Sequence, residues 1–289
     1  MNPIEESVAS VFGRQIWKPF NRGVDQYQLI QPGDRIAVCI SGGKDSMLMA
    51  LCMMRLQRFG KLPFTVKYLV MDPGYAPENR LKIEQNADLL GIAPEIRETS
   101  IFSSVEAERD NPCFLCARLR RGWLYKTAQE MGCNKIALGH HFDDVIETIL
   151  MGMLYGSQMQ TMLPKLHSEN YAGMELIRPL YLVRERDIIG WAEYNHLEFI
   201  RCACRMTQAR PDGEGSSKRA EIKKLLEQLR LVNPAVDMNI FRSAENVNLR
   251  KLISYHDGTN YRHFLDDYAE GYTVRGTKNI KGADMNDIN

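Results

Sequence analysis

A short glycine-containing run, Ser-Gly-Gly-Lys-Asp-Ser at residues 41–46, has the composition of a phosphate-binding loop. Gly42 and Gly43 permit positive φ angles and close backbone approach, so successive N–H groups and the N-terminus of a following helix can face a pyrophosphate. The run lacks the four-residue spacer of Gly-x-x-x-x-Gly-Lys-Ser/Thr, so terminal phosphoryl transfer is not the first expectation. The alternative is a plain strand-to-helix turn, with Ser46 as helix cap and Lys44 as a solvated charge.

Four of the seven cysteines form two close pairs, Cys113 with Cys116 and Cys202 with Cys204. Paired thiolates bind zinc or iron–sulfur clusters, and from spacing alone a structural zinc site is favoured. An isolated Cys-x-x-Cys is also compatible with a redox pair. Cys39 and Cys52 fall within predicted apolar elements and are expected to be small core residues.

Two further segments carry charges that suit a reaction centre. Residues 118–126 contain four basic side chains and no acidic one, which is typical of a solvated helix face but also of a surface that binds phosphate. The run Gly-His-His-Phe-Asp-Asp at residues 139–144 follows a predicted strand. Asp143 or Asp144 either caps the next helix or contributes to a metal site.

The elements that must position these residues alternate between strand and helix. Strands are predicted at 35–40, 64–71, 95–99, 135–138 and 174–180, and helices at 47–59, 78–90, 115–131, 144–155, 185–195 and 220–231. This alternation predicts an α/β fold with a doubly wound parallel sheet and a C-terminal helical extension. The phosphate loop then lies at the carboxyl end of the first strand, where open α/β sheets bind ligands.

Composition places few other limits on function. The formal net charge of +1 gives no general argument for nucleic acid, so any RNA contact must come from a local patch. The N-terminus lacks the layout of a signal peptide and the longest apolar stretch, residues 47–54, is too short to span a bilayer. We therefore expect a cytoplasmic protein with reduced thiols and no membrane partner.

The phosphate-loop hexapeptide resembles the signature of the PP-loop ATP pyrophosphatases, which cleave ATP between its α and β phosphates. Three further stretches resemble the tRNA 2-thiocytidine synthetases: residues 112–128, 137–144 and 178–188. Together with Leu-Pro-Lys-Leu at 163–166, these motifs span about Asp34 to Cys204 in the family's order.

This resemblance implies a [4Fe–4S] cluster held by only three cysteines, which leaves one iron open to carry sulfide. Cys113 and Cys116 would be two ligands. The family usually has Cys-x-x-Cys where this chain has Cys-Ala-Cys, and the third ligand is expected to be Cys204, with Cys202 as the alternative.

The resemblance also implies roles at the ATP site. Arg120 replaces a functional lysine of related thiouridine synthetases and would act electrostatically, because arginine is a poor base. Asp144 matches a functional acidic residue, and Mg²⁺ is an expected cofactor. Asp72 would lie near the adenosine, or simply form a turn. The expected catalytic residues are Asp45, Arg120 and Asp144. The expected ATP-binding residues are Ser41, Gly42, Gly43, Lys44, Asp45, Ser46, Asp72, Gly139 and His140.

The leading hypothesis is an enzyme that adenylates the C2 oxygen of a tRNA cytidine, by resemblance cytidine 32, and replaces it with sulfur. The sulfur donor would be a cysteine desulfurase or free sulfide, and a homodimer is left open. Alternatives are uridine or free-base thiolation, lysidine synthesis, or a non-catalytic nucleotide-binding protein with structural zinc. The predicted organisation is an N-terminal segment at 1–30, an ATP- and cluster-binding domain at 31–206, a loop and helical extension at 207–272 and a flexible tail at 273–289.

Overall fold

The computed structural model of the protein describes residues 2–106, 112–200, 218–266 and 268. Cys202 and Cys204 lie outside these residues, as does the predicted tail. Ten α-helices are described in these ranges: α1 Pro3–Ala9, α2 Lys18–Gln26, α3 Lys44–Phe59, α4 Pro77–Leu90, α5 Ile101–Glu106, α6 Pro112–Glu130, α7 Phe142–Gly156, α8 Glu185–Tyr194, α9 Lys218–Val232 and α10 Val236–Glu245. The strands are β1 Arg35–Ile40, β2 Thr65–Asp72, β3 Glu95–Glu98, β4 Lys135–Ala137, β5 Lys165–His167, β6 Glu175–Ile177, β7 Ser254–His256 and β8 Tyr261–His263.

Six strands form one sheet in the order β3-β2-β1-β4-β6-β5. All neighbouring pairs are parallel except β5 with β6, which are antiparallel. The predicted α/β fold with a doubly wound parallel sheet is confirmed, and only the edge strand β5 runs antiparallel to its neighbour. A short return strand can pair antiparallel because it needs no helical crossover.

The predicted elements occur at nearly the predicted bounds. β1 is the apolar run that the sequence indicates, with five of its six residues buried. α4 ends at Gly91, whose φ of 71° is a left-handed conformation that glycine adopts without steric cost. β6 is shorter than the predicted 174–180, since Pro179 has no N–H to extend the ladder.

Alternate side chains of β1 enter two different cores, as expected for a sheet covered on both faces. Ile36 and Val38 pack in a core with α1, α2, α3, α4 and α8, whereas Ala37 and Cys39 pack in a second core with α6. Cys39 and Cys52 are buried, as predicted, and burial raises the pKa of the Cys39 thiol to about 12. These thiols are therefore packing residues.

A third apolar core joins α7 to α9 and α10 through residues such as Ile146, Ile222 and Phe241. Residues 1–244 form one compact unit, and residues 245–289 form a second, whose described part contains the antiparallel hairpin of β7 and β8. Among the described residues, no helix has both the length and the apolar character needed to cross a bilayer.

Candidate active site

The loops after β1 and β4 meet at the point where the strand order reverses. β1 pairs with β2 on one side and β4 on the other, all parallel, so the carboxyl ends of β1 and β4 are neighbours. This crevice is where open α/β sheets bind ligands. The sequence places the phosphate loop after β1 and the Gly-His-His run after β4.

The backbone of the phosphate loop is shaped by Gly42. Its φ is 86°, and a Cβ added there would lie 2.5 Å from Ile83 Cγ1. Gly43 is the N-cap residue of α3, and no side chain caps the helix N-terminus. Uncapped N–H groups at the start of a 16-residue helix are suited to an anion such as pyrophosphate.

Two serines fix the loop. Ser46 Oγ donates to the Gly43 carbonyl at 2.9 Å and accepts from the Ser41 N–H at 3.1 Å. The Ser41 and Ser46 hydroxyls are also 3.1 Å apart. Ser46 therefore ties the end of β1 to the first turn of α3.

Gly139 allows the β4 loop to approach this turn. A Cβ at Gly139 would lie 3.0 Å from Ser46 N and 3.1 Å from Ser46 Cα. Because these are backbone atoms, they cannot yield as a flexible side chain would. The glycine therefore holds the two ligand-facing loops at contact distance.

A cavity of about 380 Å³ lies between these loops and α6. This volume falls in the range of ordinary small-molecule sites. Seven of the residues predicted from the sequence line it together: Ser41, Asp45, Ser46, Arg120, Gly139, His140 and Asp144. The remaining wall is mainly apolar and comes from β1, β2 and α6.

Lys44 is directed to two carboxylates. Its Nζ lies 3.1 Å from Glu185 Oε1 and 3.3 Å from Asp45. Burial alone would lower the pKa of Lys44, but the two carboxylates raise it above its ordinary value, so the side chain stays charged. Asp45 Oδ1 is buried and makes no hydrogen bond, but it lies 3.3 Å from Lys44 Nζ and 3.8 Å from His141 Nε2.

His140 and His141 have different roles. His141 caps α7: its Nδ1 accepts from the Asp144 N–H at 3.4 Å, and Asp144 Oδ2 accepts from the His141 N–H at 3.0 Å. The predicted capping role of Asp144 is thus observed, while the same residue lines the cavity. His140 also lines it, and burial together with nearby Arg178 and Arg219 lowers the pKa of its imidazole to about 4. His140 is therefore neutral at physiological pH.

An ionic cluster that the sequence interpretation missed connects the site to α9. Arg219 lies 3.3 Å from Asp144 and 3.4 Å from Glu147, and Lys223 lies 3.7 Å from Glu147 and 3.2 Å from Glu185. Glu147 is only 2% exposed. The sequence signals available were the i, i+4 spacing of the cations Arg219 and Lys223 and the i, i+3 spacing of the carboxylates Asp144 and Glu147.

Asp72 does not line the cavity, although Met71 before it does. Its Oδ1 accepts from the N–H groups of Gly74 and Tyr75, and its Oδ2 is 2.8 Å from Arg80. Burial would raise the pKa of Asp72, but these three partners hold it below its ordinary value. The described contacts are those of the turn-forming alternative.

The predicted cluster residues begin α6, the helix that carries Arg120. Positions 113 and 116 are one helical turn apart on this helix, and Cys116 packs near Met71 and Ile101. Ala117 and Arg120, in the next turn, line the cavity. The first predicted thiol pair therefore lies on the element that borders the predicted ATP site, while the second pair falls outside the described residues.

Among the described residues, no group of three or more His, Cys, Asp or Glu side chains is arranged to hold a metal ion. Mg²⁺ often takes only one or two protein carboxylates and completes its shell with phosphate oxygens and water. Asp45 and Asp144, both lining the cavity, suit that mode of binding.

A PP-loop domain family matches residues 12–205 of the chain. A tRNA-cytidine(32) 2-sulfurtransferase from Geobacter metallireducens is 35% identical over 243 residues, covering 83% of this chain and 92% of that protein. A protein of the same name from Vibrio cholerae is 37% identical, covering 81% of this chain and 74% of its own length.

Among solved structures, a U34-tRNA thiolase, NcsA, from Methanococcus maripaludis with its [4Fe-4S] cluster superimposes with a TM-score of 0.63. The identity is 20%, and the match covers 79% of this chain and 77% of that one. At this identity the likeness concerns the fold.

Proposed function

The chain belongs to the tRNA-cytidine(32) 2-sulfurtransferase family of PP-loop proteins, and from this membership we propose that it adenylates the C2 oxygen of cytidine 32 in a tRNA and replaces that oxygen with sulfur. The observation that carries the proposal is the convergence of both predicted loops and Arg120 on one cavity. A plain strand-to-helix turn would not explain why residues from three separate motifs line the same space.

The first step would be attack of the cytidine C2 oxygen on the α phosphorus of ATP. The P–O bond between the α and β phosphates breaks, and pyrophosphate leaves with the bonding electron pair. The N–H groups at the start of α3 would hold the departing phosphates. Arg120 would stabilise the negative charge that develops on the α phosphate, which is the role a permanently charged guanidinium suits.

Mg²⁺ would be held by Asp45 and Asp144 together with phosphate oxygens. The position of Asp45 supports this assignment, because its Oδ1 is buried in the cavity wall without a hydrogen bond and has the Lys44 ammonium 3.3 Å away as an ion-pair partner, so Mg²⁺ could take over that contact. Lys44 would then exchange Glu185 for a phosphate. Both changes replace a protein contact with a contact to MgATP.

In the second step sulfide would attack C2, and AMP would leave with the C2 oxygen. The residues fit the [4Fe–4S] group in donor chemistry, since Cys113 and Cys116 are thiols one turn apart on α6. With Cys204 as third ligand, the cluster would supply sulfide from its open iron. The sulfur source would be free sulfide, or a cysteine desulfurase whose persulfide sulfur is reduced to sulfide by a thiol reductant.

The proposal is tested by metal analysis and by ATP products. Anaerobically purified protein should contain iron and acid-labile sulfide at about four each per chain. With tRNA, ATP should yield AMP and pyrophosphate in equal amounts. Stoichiometric zinc without iron, or ADP as the product, would contradict it.

Cysteine substitutions examine the ligand set separately. Cys113→Ser and Cys116→Ser should lower iron content and abolish thiolation while ATP binding persists, because serine is a harder and poorer ligand. Cys204→Ser should behave in the same way, and Cys202→Ser should retain most of the iron. Equal loss from all four substitutions would indicate four-cysteine ligation and no open iron.

A further inference from the structure

A second depression lies beside the candidate active site, between α6 and the connection from β5 to β6. It measures about 750 Å³, roughly twice the volume of the cavity between the phosphate loop and α6. Ala117 and Arg121 line both spaces. The depression, here called the α6 groove, therefore runs to the predicted site of chemistry.

The α6 groove is positively charged. Arg118, Arg121 and Lys126 line it, and no acidic residue is among its described lining residues. Within the described ranges none of these three cations takes part in an ion pair, whereas Arg219 and Lys223 at the other side of the active site are both paired with carboxylates. Cations that need not give up a protein carboxylate can bind phosphate at lower cost.

The same groove is lined by aromatic rings. Trp123, Tyr125 and Tyr171 contribute to it, and the rings of Tyr125 and Tyr171 stack with centroids 5.2 Å apart. The Tyr125 ring is buried, so the partly exposed rings of Trp123 and Tyr171 are the ones that a base could reach. Aromatic surface among cations is the pattern that holds single-stranded nucleic acid, because bases stack while phosphates are neutralised.

We propose that the α6 groove binds the unpaired loop strand of the substrate RNA, next to the nucleotide that enters the ATP cavity. Arg118 and Lys126 contact its phosphates, and the partly exposed ring of Trp123 contacts a base. This inference rests on the proposed function, since it assumes an RNA substrate. It assigns strand binding to a face formed by α6 and the β5–β6 connection.

The test compares two double variants of the full chain. Arg118→Ala with Lys126→Ala removes two groove charges that do not line the ATP cavity. Arg14→Ala with Lys61→Ala removes two exposed charges that lie before α2 and in the connection from α3 to β2, outside the lining of the α6 groove. Fluorescence anisotropy with an anticodon stem-loop RNA would give dissociation constants at several salt concentrations.

The groove variant should bind this RNA about tenfold more weakly, and its slope of log K against log salt should fall by about 1.4, or about 0.7 for each lost phosphate contact. The control variant should match the wild type. ATP affinity and thermal unfolding serve as checks of integrity. Groove and control variants with equal affinity and equal slope would overturn the inference.

Tryptophan fluorescence supplies an independent readout. Saturating RNA should change the emission of the wild type, and Trp123→Phe should remove that change, since Trp17 and Trp191 pack in the core on the other face. Unchanged emission at saturation would contradict base contact with Trp123. If the wild type binds no tRNA, the proposed function itself is refuted. If the wild type thiolates tRNA and the groove variant is fully active, only the proposal that the α6 groove binds RNA is refuted.

Discussion

At the residue scale, the contacts of Lys44 and Asp45 with neighbouring side chains are those that bound MgATP would most directly replace. Lys44 contacts both Asp45 and Glu185, and His141 and Lys223 also approach Glu185. Burial would raise the pKa of Glu185, but these cations lower it to about 2. Lys44 is thus held among charged side chains, where its ammonium can also bind a phosphate of ATP.

Lys44→Ala and Asp45→Ala should each lower the rate of ATP-dependent AMP formation by about 100-fold or more, since each removes a group facing developing charge. Iron content should stay at the wild-type level, because the cysteines of α6 are separate from this loop. Iron assay and AMP release measured on one preparation give both values. Iron loss in parallel with activity would show that the two sites are not separate.

The lowered pKa of His140 predicts that the stability of the protein depends on pH. Its folded-state pKa of about 4 lies below the ordinary value of 6.5, so the unfolded chain binds more protons between these values. The free energy of unfolding should therefore fall as the pH drops from 6.5 to 4, by up to about 3 kcal/mol for this group.

Urea unfolding of His140→Asn at pH 7 and pH 5 examines that expectation. The variant should lose less stability than the wild type over this interval, while His167→Asn, at a side chain 89% exposed, should follow the wild type. An identical loss in His140→Asn and wild type would remove His140 from the pH response.

At the element scale, the strands and helices with strong apolar patterns were predicted well. β1, α3 and α4 have apolar runs bounded by glycine, and the structure places them within a few residues of the expected bounds. The strand β5 was missed, because Lys165–His167 has only three residues and one apolar side chain. Its pairing depends on β6, and local sequence does not encode a distant partner.

The site was predicted to a similar degree. Loop residues with a chemical signature, such as Ser41 and Asp144, were found, and their meeting in one cavity follows from the parallel order of β1 and β4. Arg219 and Lys223 were missed because they lie on a helix far along the chain whose pattern indicates only an amphipathic surface. The ligand assignment at Cys202 and Cys204 stays a prediction.

The contact of α9 with α7 predicts a stability effect at one side of the site. Lys223→Ala leaves the buried Glu147 with one cation instead of two and removes a partner of Glu185. The free energy of unfolding should fall by about 1 to 2 kcal/mol. Lys224→Ala, at the adjacent exposed position, is the matched control and should change it by less than about 0.5 kcal/mol. Equal effects would mean that the cluster contributes nothing specific.

At the scale of the whole molecule, the proposed reaction depends on three parts of α6. The start of the helix carries Cys113 and Cys116, its middle reaches the ATP cavity through Arg120, and its outer face lines the α6 groove. Cluster, nucleotide and RNA would then share one helix. A shift of α6 would disturb all three functions together, whereas single substitutions should separate them.

The central claim is tested most directly by mass spectrometry of tRNA nucleosides from a strain that lacks this gene, in a host whose tRNA normally contains 2-thiocytidine. The account predicts that 2-thiocytidine disappears, that the wild-type gene restores it, and that Lys44→Ala and Cys116→Ser alleles do not. Unchanged 2-thiocytidine in the deletion strain, or loss of a thiolated uridine in its place, would contradict it.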